Sequence, residues 1–102
     1  MKIGFAMAFN QSTQAGLIAE SVSMLEEMGA HSIWAPEHVL FFPEYASTYP
    51  YSDSGRIPGD PVGLLDPFTS LTFIAANTTK VRLGTGICLV PQRSPVYTAK
   101  MV

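Results

Sequence analysis

The chain has 102 residues, 47% hydrophobic and 14% charged, which makes it one small domain at most or part of a larger one. Its net charge of -2 comes without any Lys/Arg run, excluding the electrostatic footprint of a nucleic-acid binder. The single cysteine, Cys88, rules out an internal disulfide, no apolar run is long enough for a membrane span, and the start MKIGFAMAF is too short for a signal segment with its cleavage site, so a cytoplasmic chain is expected.

Lys2 to Phe9 alternates large and small residues, with Ile3, Phe5, Met7 and Phe9 on one face and Gly4, Ala6 and Ala8 on the other. Both faces are apolar, as in a strand of a parallel sheet covered on both sides, and the small face suits a crowded barrel interior. Asn10 follows at the carboxyl end. Gln11, Ser12 and Thr13 offer capping oxygens for a helix in which Ile18, Val22 and Leu25 share one face, and Gly29 stands where a left-handed C-cap is wanted. The next strand, Ser32 to Ala35, breaks off into Pro36, Glu37 and His38. A buried strand needs no charge, so a carboxylate and an imidazole delivered together at its end mark a site at the mouth of a parallel sheet. Strand, helix, strand is then complete, and the crossover is expected to be right-handed.

From residue 36 to residue 66 no period is sustained. The stretch is far longer than an ordinary βα connection and is rich in Pro, Gly, Ser and aromatics, among them Phe41, Phe42, Tyr45, Tyr49 and Tyr51, with Gly55, Gly59 and Gly63 as points of bending. It reads either as an active-site lid or as a crossover that packs on its own scaffold. Asp66 and Pro67 read as the cap and first residue of a second helix with Phe68, Leu71, Ile74 and Ala75 on one face. A third strand is expected from Val81 to Val90, with Val81, Leu83, Ile87 and Leu89 on one face and an interruption at Gly84, Thr85 and Gly86, where glycines signal a bulge or the close approach of a ligand. Ser94 and Pro95 open a third helix.

The order β, α, β, long loop, α, β, α describes an α/β fold class, and three parallel strands with helices on one face leave the other face bare. The chain therefore reads as the N-terminal part, residues 1–102, of an eight-fold βα barrel, needing the rest of a barrel or self-association into a homo-oligomer to cover the sheet. Chemistry in such barrels gathers at the carboxyl ends of the strands, where Asn10, Glu37, His38 and the segment from Gly86 to Arg93 converge. His31 lies at the opposite end and reads as structural.

Trp34-Ala35-Pro36-Glu37-His38, the loop Tyr45-Ala46-Ser47 to Gly55-Arg56, Leu65-Asp66-Pro67, Val81-Arg82-Leu83-Gly84-Thr85-Gly86, and Pro91-Gln92-Arg93-Ser94-Pro95 with Ala99-Lys100 follow one another in this order. This series resembles the luciferase-like monooxygenase superfamily, and most of all its F420-dependent oxidoreductase branch. The resemblance implies a TIM barrel holding the deazaflavin F420 or, in sister branches, FMN, with hydride transfer to or from a small-molecule substrate. It implies that Thr85, Gly86 and Ile87 form the bulge against which the ring rests, in a region where relatives often carry a non-proline cis peptide, with Asn10 nearby. Glu37 and His38 match an acidic residue and a histidine set beside ring and substrate, although an aspartate is common where Glu37 stands. Phe41 and Tyr45 of the lid and Arg93 fall on the substrate side. No metal is implied.

The residues support part of this unaided. An imidazole with a reference pKa of about 6.5 exchanges a proton near neutrality, which hydride transfer at a C–O or C=C bond requires; alternatively, His38 caps the strand and bonds the lid backbone. Glu37 can orient His38, bind the ring edge or pair with Arg93. Arg93 is a better candidate than Arg56 for an anionic substrate or cofactor tail. Cys88, Trp34 and the methionines read as core. Three functions follow: an F420-dependent oxidoreductase, an FMN-dependent monooxygenase, or, if the chain ends at Val102, a non-catalytic fragment that binds a ligand or a partner, since a phosphate cradle is lacking.

Overall fold

A computed structural model describes residues 1–57 and 63–102. It contains β1 (Gly4–Ala6), α1 (Ala15–Glu27), β2 (Ser32–Ala35), α2 (Pro67–Ala76), β3 (Arg82–Thr85), a 3-10 turn (Val90–Gln92) and α3 (Pro95–Met101). The strands form one parallel sheet in the order β1-β2-β3, with Phe5 opposite Ile33 and Ile33 opposite Leu83. This is the α/β pattern of three parallel strands with helices that the sequence predicts. Phe9, Ile18, Val22, Ile33 and Ile74 are buried together, with Met7, Leu25, Leu65, Leu71, Val81 and Leu83 packed around them. Each such aliphatic side chain contributes about 1.5–3 kcal/mol by leaving water.

Two helix ends agree with expectation for the expected reason. Gly29 has φ +85°, its N–H bonds to Glu26 O, and Ala30 N–H bonds to Leu25 O, a Schellman turn that closes α1. Asp66 caps α2 by accepting the Thr69 N–H at 3.0 Å, with Pro67 in the first turn.

Other expectations are corrected. The oxygens of residues 11–13 do not cap α1, whose N-cap is Gln14 without a side-chain bond. That of Thr13 is diverted into a turn around Asn10: the Asn10 Oδ1 accepts from Ser12 N–H and from the Thr13 hydroxyl, which in turn accepts the Asn10 N–H. The first strand is paired only over Gly4–Ala6, rather than from Lys2 to Phe9, because Phe9 leaves the ladder and its carbonyl takes the Leu65 N–H of the returning loop. The third strand ends at Thr85, not Val90. Its neighbour β2 ends before Pro36, the last bond between them is Gly86 N–H to Ala35 O, and the chain then bends into the turn at Pro91. On α2, Ser70 is buried and Ala75 is exposed, so the buried face is rotated toward Pro67, Ser70 and Ile74.

The glycines of β3 also have a different cause. Register is regular from Arg82 to Thr85, with no bulge, and every peptide bond among the described residues is trans. A Cβ on Gly84 would stand 2.7 Å from Cζ3 of Trp34, and one on Gly4 would stand 2.9 Å from its Nε1. The indole therefore lies across both neighbouring strands on the sheet face opposite the core, with Nε1 donating to Ser32 Oγ at 2.9 Å. Trp34 is 45% exposed there, and Met24 and Met28 are exposed as well; of the methionines expected in the core, Met7 packs against it.

Candidate active site at the carboxyl end of the sheet

Because the strands are parallel, their carboxyl ends lie together, and the segments after β2 and β3 meet there. Pro36 ends β2, and the Glu37 carboxylate turns toward the segment after β3: Oε2 accepts the Leu89 N–H at 2.6 Å and Oε1 pairs with Nη2 of Arg93. The same Nη2 reaches Asp66 Oδ2 at 2.5 Å, and the guanidinium lies over the Phe68 ring, 4.9 Å from its centroid. Of the alternatives open to Glu37, the ion pair with Arg93 is thus made, by side chains that are 7% and 15% exposed. Two carboxylates hold Arg93 protonated well above its ordinary range, through the hydrogen bond to Glu37 first and that to Asp66 second. For Asp66, burial favours the neutral form, but the hydrogen bond from Arg93 and the Thr69 N–H outweigh it and lower the pKa.

His38 is exposed and leans on Phe41, ring centroids 4.3 Å apart. Both line a cavity of about 670 Å³ shared with Tyr45, Tyr49, Leu89 and Gln92, and none of the described residues on its wall is a carboxylate, lysine or arginine. The long loop shapes this cavity by bonding to itself: Tyr49 N–H to Gly55 O, Ile57 N–H to the Tyr45 hydroxyl, and Arg56 Nη1 to Tyr45 O, with the Arg56 guanidinium over the Tyr45 ring. Gly55 has φ +67°, which its turn requires. Gly59, read as a bending point, lies outside the described residues. The loop's return is fastened to the segment after β1 by the bridge between Asn10 and Leu64.

The structure therefore brings His38, Phe41 and Tyr45 onto one cavity and sets Glu37 and Arg93 beside it as a pair. Asn10, Thr85, Gly86 and Ile87 do not line it. Gly86 and Ile87 are exposed on the strand end, and Asn10 is engaged in its own turn. His31 lies at the other end, its backbone bonded to Ile3 and Arg82. Tyr49 reads among the lid aromatics, and Leu89 and Gln92 fall in the segment from Gly86 to Arg93 expected at the site, though neither is singled out by the sequence. Asp66 as second partner of Arg93 is not legible, because it already has a complete explanation as a cap.

The luciferase-like monooxygenase family matches the chain over residues 1–102. The chain belongs to that family. Relatives among curated proteins are the uncharacterized protein Rv0953c of Mycobacterium tuberculosis and the uncharacterized protein Mb0978c of Mycobacterium bovis, each 27% identical over 85 residues, or 82% of this chain and 30% of theirs. The chain thus spans about a third of the length of the curated relatives it matches. No solved structure matches it significantly. Luciferase-like monooxygenases are in general oxidoreductases that bind flavin or F420. Nothing in the protein demands glycine at position 86, where an added Cβ would make only ordinary contact, 3.5 Å from Ala35 O.

Proposed function

We propose that the protein is an oxidoreductase of the luciferase-like type in which a hydride passes between F420 and a small organic substrate, with His38 as proton partner. The observation that carries the reading is the exposed imidazole at the wall of an uncharged cavity at the carboxyl end of the sheet. Thr85, Gly86 and Ile87 would hold the ring, with Asn10 at the neighbouring strand end. A bound deazaflavin supplies the hydride.

The chain's own residues supply the rest. Phe41, Tyr45 and Tyr49 seat a neutral substrate and exclude water. His38 gives a proton to the carbonyl oxygen as the carbon takes up the hydride, or removes it from the hydroxyl in reverse. Glu37, with both oxygens engaged, holds the backbone next to His38. A cytoplasmic location and self-association belong to the same reading.

The test uses the protein with reduced F420 and neutral carbonyl compounds from acetone to benzaldehyde. His38→Ala is expected to leave F420 affinity unchanged, by fluorescence titration, and to cut turnover at least about tenfold. Unchanged turnover removes His38 from the mechanism. A second reading, an FMN-dependent monooxygenase, is favoured by the family's own description; oxygen uptake with reduced FMN, absent with reduced F420, would select it.

A further inference from the structure

We infer that Arg93 is a positioning residue that sets the orientation of His38 through Glu37 and takes no part in binding the substrate. The inference rests on the reading of His38 as proton partner. A lone arginine after the third strand invites the expectation of an anion site, but its surroundings argue otherwise. Nη2 is shared between Glu37 and Asp66, and the guanidinium face rests on Phe68. Nε is buried without a hydrogen-bond partner among the described residues. Arg93 does not line the cavity that His38 lines, whereas Gln92, one residue earlier, does.

What Arg93 joins is informative. Glu37 immediately precedes His38, Asp66 ends the long loop and begins α2, and Leu89, whose N–H completes the hold on Glu37, is itself a wall residue. One guanidinium therefore ties together the end of β2, the return of the lid and the segment after β3, the three pieces that flank the imidazole. Without it the carboxylates of Glu37 and Asp66 confront each other with no cation between them, and their repulsion opposes the hydrogen bond that keeps Glu37 on the Leu89 N–H. A lysine keeps the charge but lacks the flat guanidinium face that rests on Phe68 and the breadth that places Nη2 between the two carboxylates.

Arg93→Lys, His38→Ala and the double variant are compared in the carbonyl assay, with thermal unfolding as a check on folding. Arg93→Lys is expected to lower kcat about tenfold with KM unchanged, and to cost nothing further once His38 is alanine. Losses that multiply in the double variant, or a rise in KM alone, overturn the inference while leaving His38 in place. A readout independent of turnover is the imidazole Cε1–H NMR resonance of His38, assigned by its loss in His38→Ala. It should move in Arg93→Lys while that of His31 stays, and a stationary His38 resonance also overturns the inference. If His38→Ala alone leaves turnover intact, the proton-partner reading fails, and a shifted resonance then still shows Arg93 acting on His38. Should Arg93→Lys not fold, Glu37→Gln, which keeps the shape and removes the charge that Arg93 grips, enters the same comparison with the same outcomes.

Discussion

Gly84→Ala tests whether Trp34 is clamped between two glycines. The new methyl would stand 2.7 Å from Cζ3 and 2.8 Å from Cε3 of the indole, short of the 3.4 Å at which ordinary contact begins. Sliding within the plane of the sheet is opposed by the bond from Nε1 to Ser32 Oγ, so the ring has to lift away from the strands. Overpacking costs about 1–3 kcal/mol, and a lost hydrogen bond about 0.5–1.5. Because Trp34 is 45% exposed and free to move outward, the lower part of that range applies, about 1–2 kcal/mol. Trp34 is the one tryptophan of the chain, so its fluorescence reports the displacement directly. The emission maximum should move to the red and the urea midpoint should fall by about 0.5–1 M. Gly16→Ala is the control: nothing lies within 4 Å of the new methyl, in helix α1, and stability should rise by up to about 1 kcal/mol. Unchanged emission and an unchanged midpoint in Gly84→Ala would refute the clamp.

Two further predictions concern the carboxylates that fasten the sheet and helices together. Glu26 accepts the N–H groups of Thr79, Lys80 and Val81, and those of Val81 and Lys80 contribute most to lowering its pKa from 4.5 to about 2. The unfolded chain then binds more protons than the folded one between these values. The contribution of Glu26 is complete above pH 4.5 and lost as pH falls to about 2; accordingly, the urea midpoint of Glu26→Gln should lie below wild type at neutral pH and converge with it toward pH 2, and a constant gap across the range would exclude the linkage. For Asp66, alanine removes both the cap and the ion pair, whereas asparagine keeps an acceptor for Thr69; Asp66→Ala should therefore cost about 1 kcal/mol more than Asp66→Asn in urea unfolding, and equal costs would show that the cap contributes nothing.

The elements legible in the sequence are those whose signals are local. Gly29 and Asp66-Pro67 announce a helix end and a helix start because each cap is made by atoms only a few residues apart. The strand ends were harder to read, since they depend on the neighbour: β3 has apolar residues on to Val90, but pairing stops where Pro36 terminates β2. Gly84 was legible as a point of close approach, and what approaches is the indole of Trp34, 50 residues earlier in the chain. At the site, the clustering of Glu37, His38 and Arg93 followed from the parallel topology, whereas the grip of Arg93 on Asp66 did not, because contacts between distant side chains leave no period to detect.

The division of charge at this end of the sheet bears on what the chain can do. Glu37, Asp66 and Arg93 spend their charges on one another, and Arg56 is folded back on Tyr45. The cavity is left with an imidazole, hydroxyls, one amide and apolar rings. Among the described residues such a wall offers hydrogen bonds to a ligand, and offers an anion no fixed cation to repay its desolvation, in keeping with the neutral substrate proposed. The charged residues act in the scaffold, where Arg93 and Glu37 fix the strand ends. His38, the next residue along from Glu37, stands outside that network and lines the cavity. Adjacent residues of one turn thus face different surroundings, Glu37 held in the ion pair with Arg93 and His38 on the cavity wall, the division on which the proposed role of His38 rests.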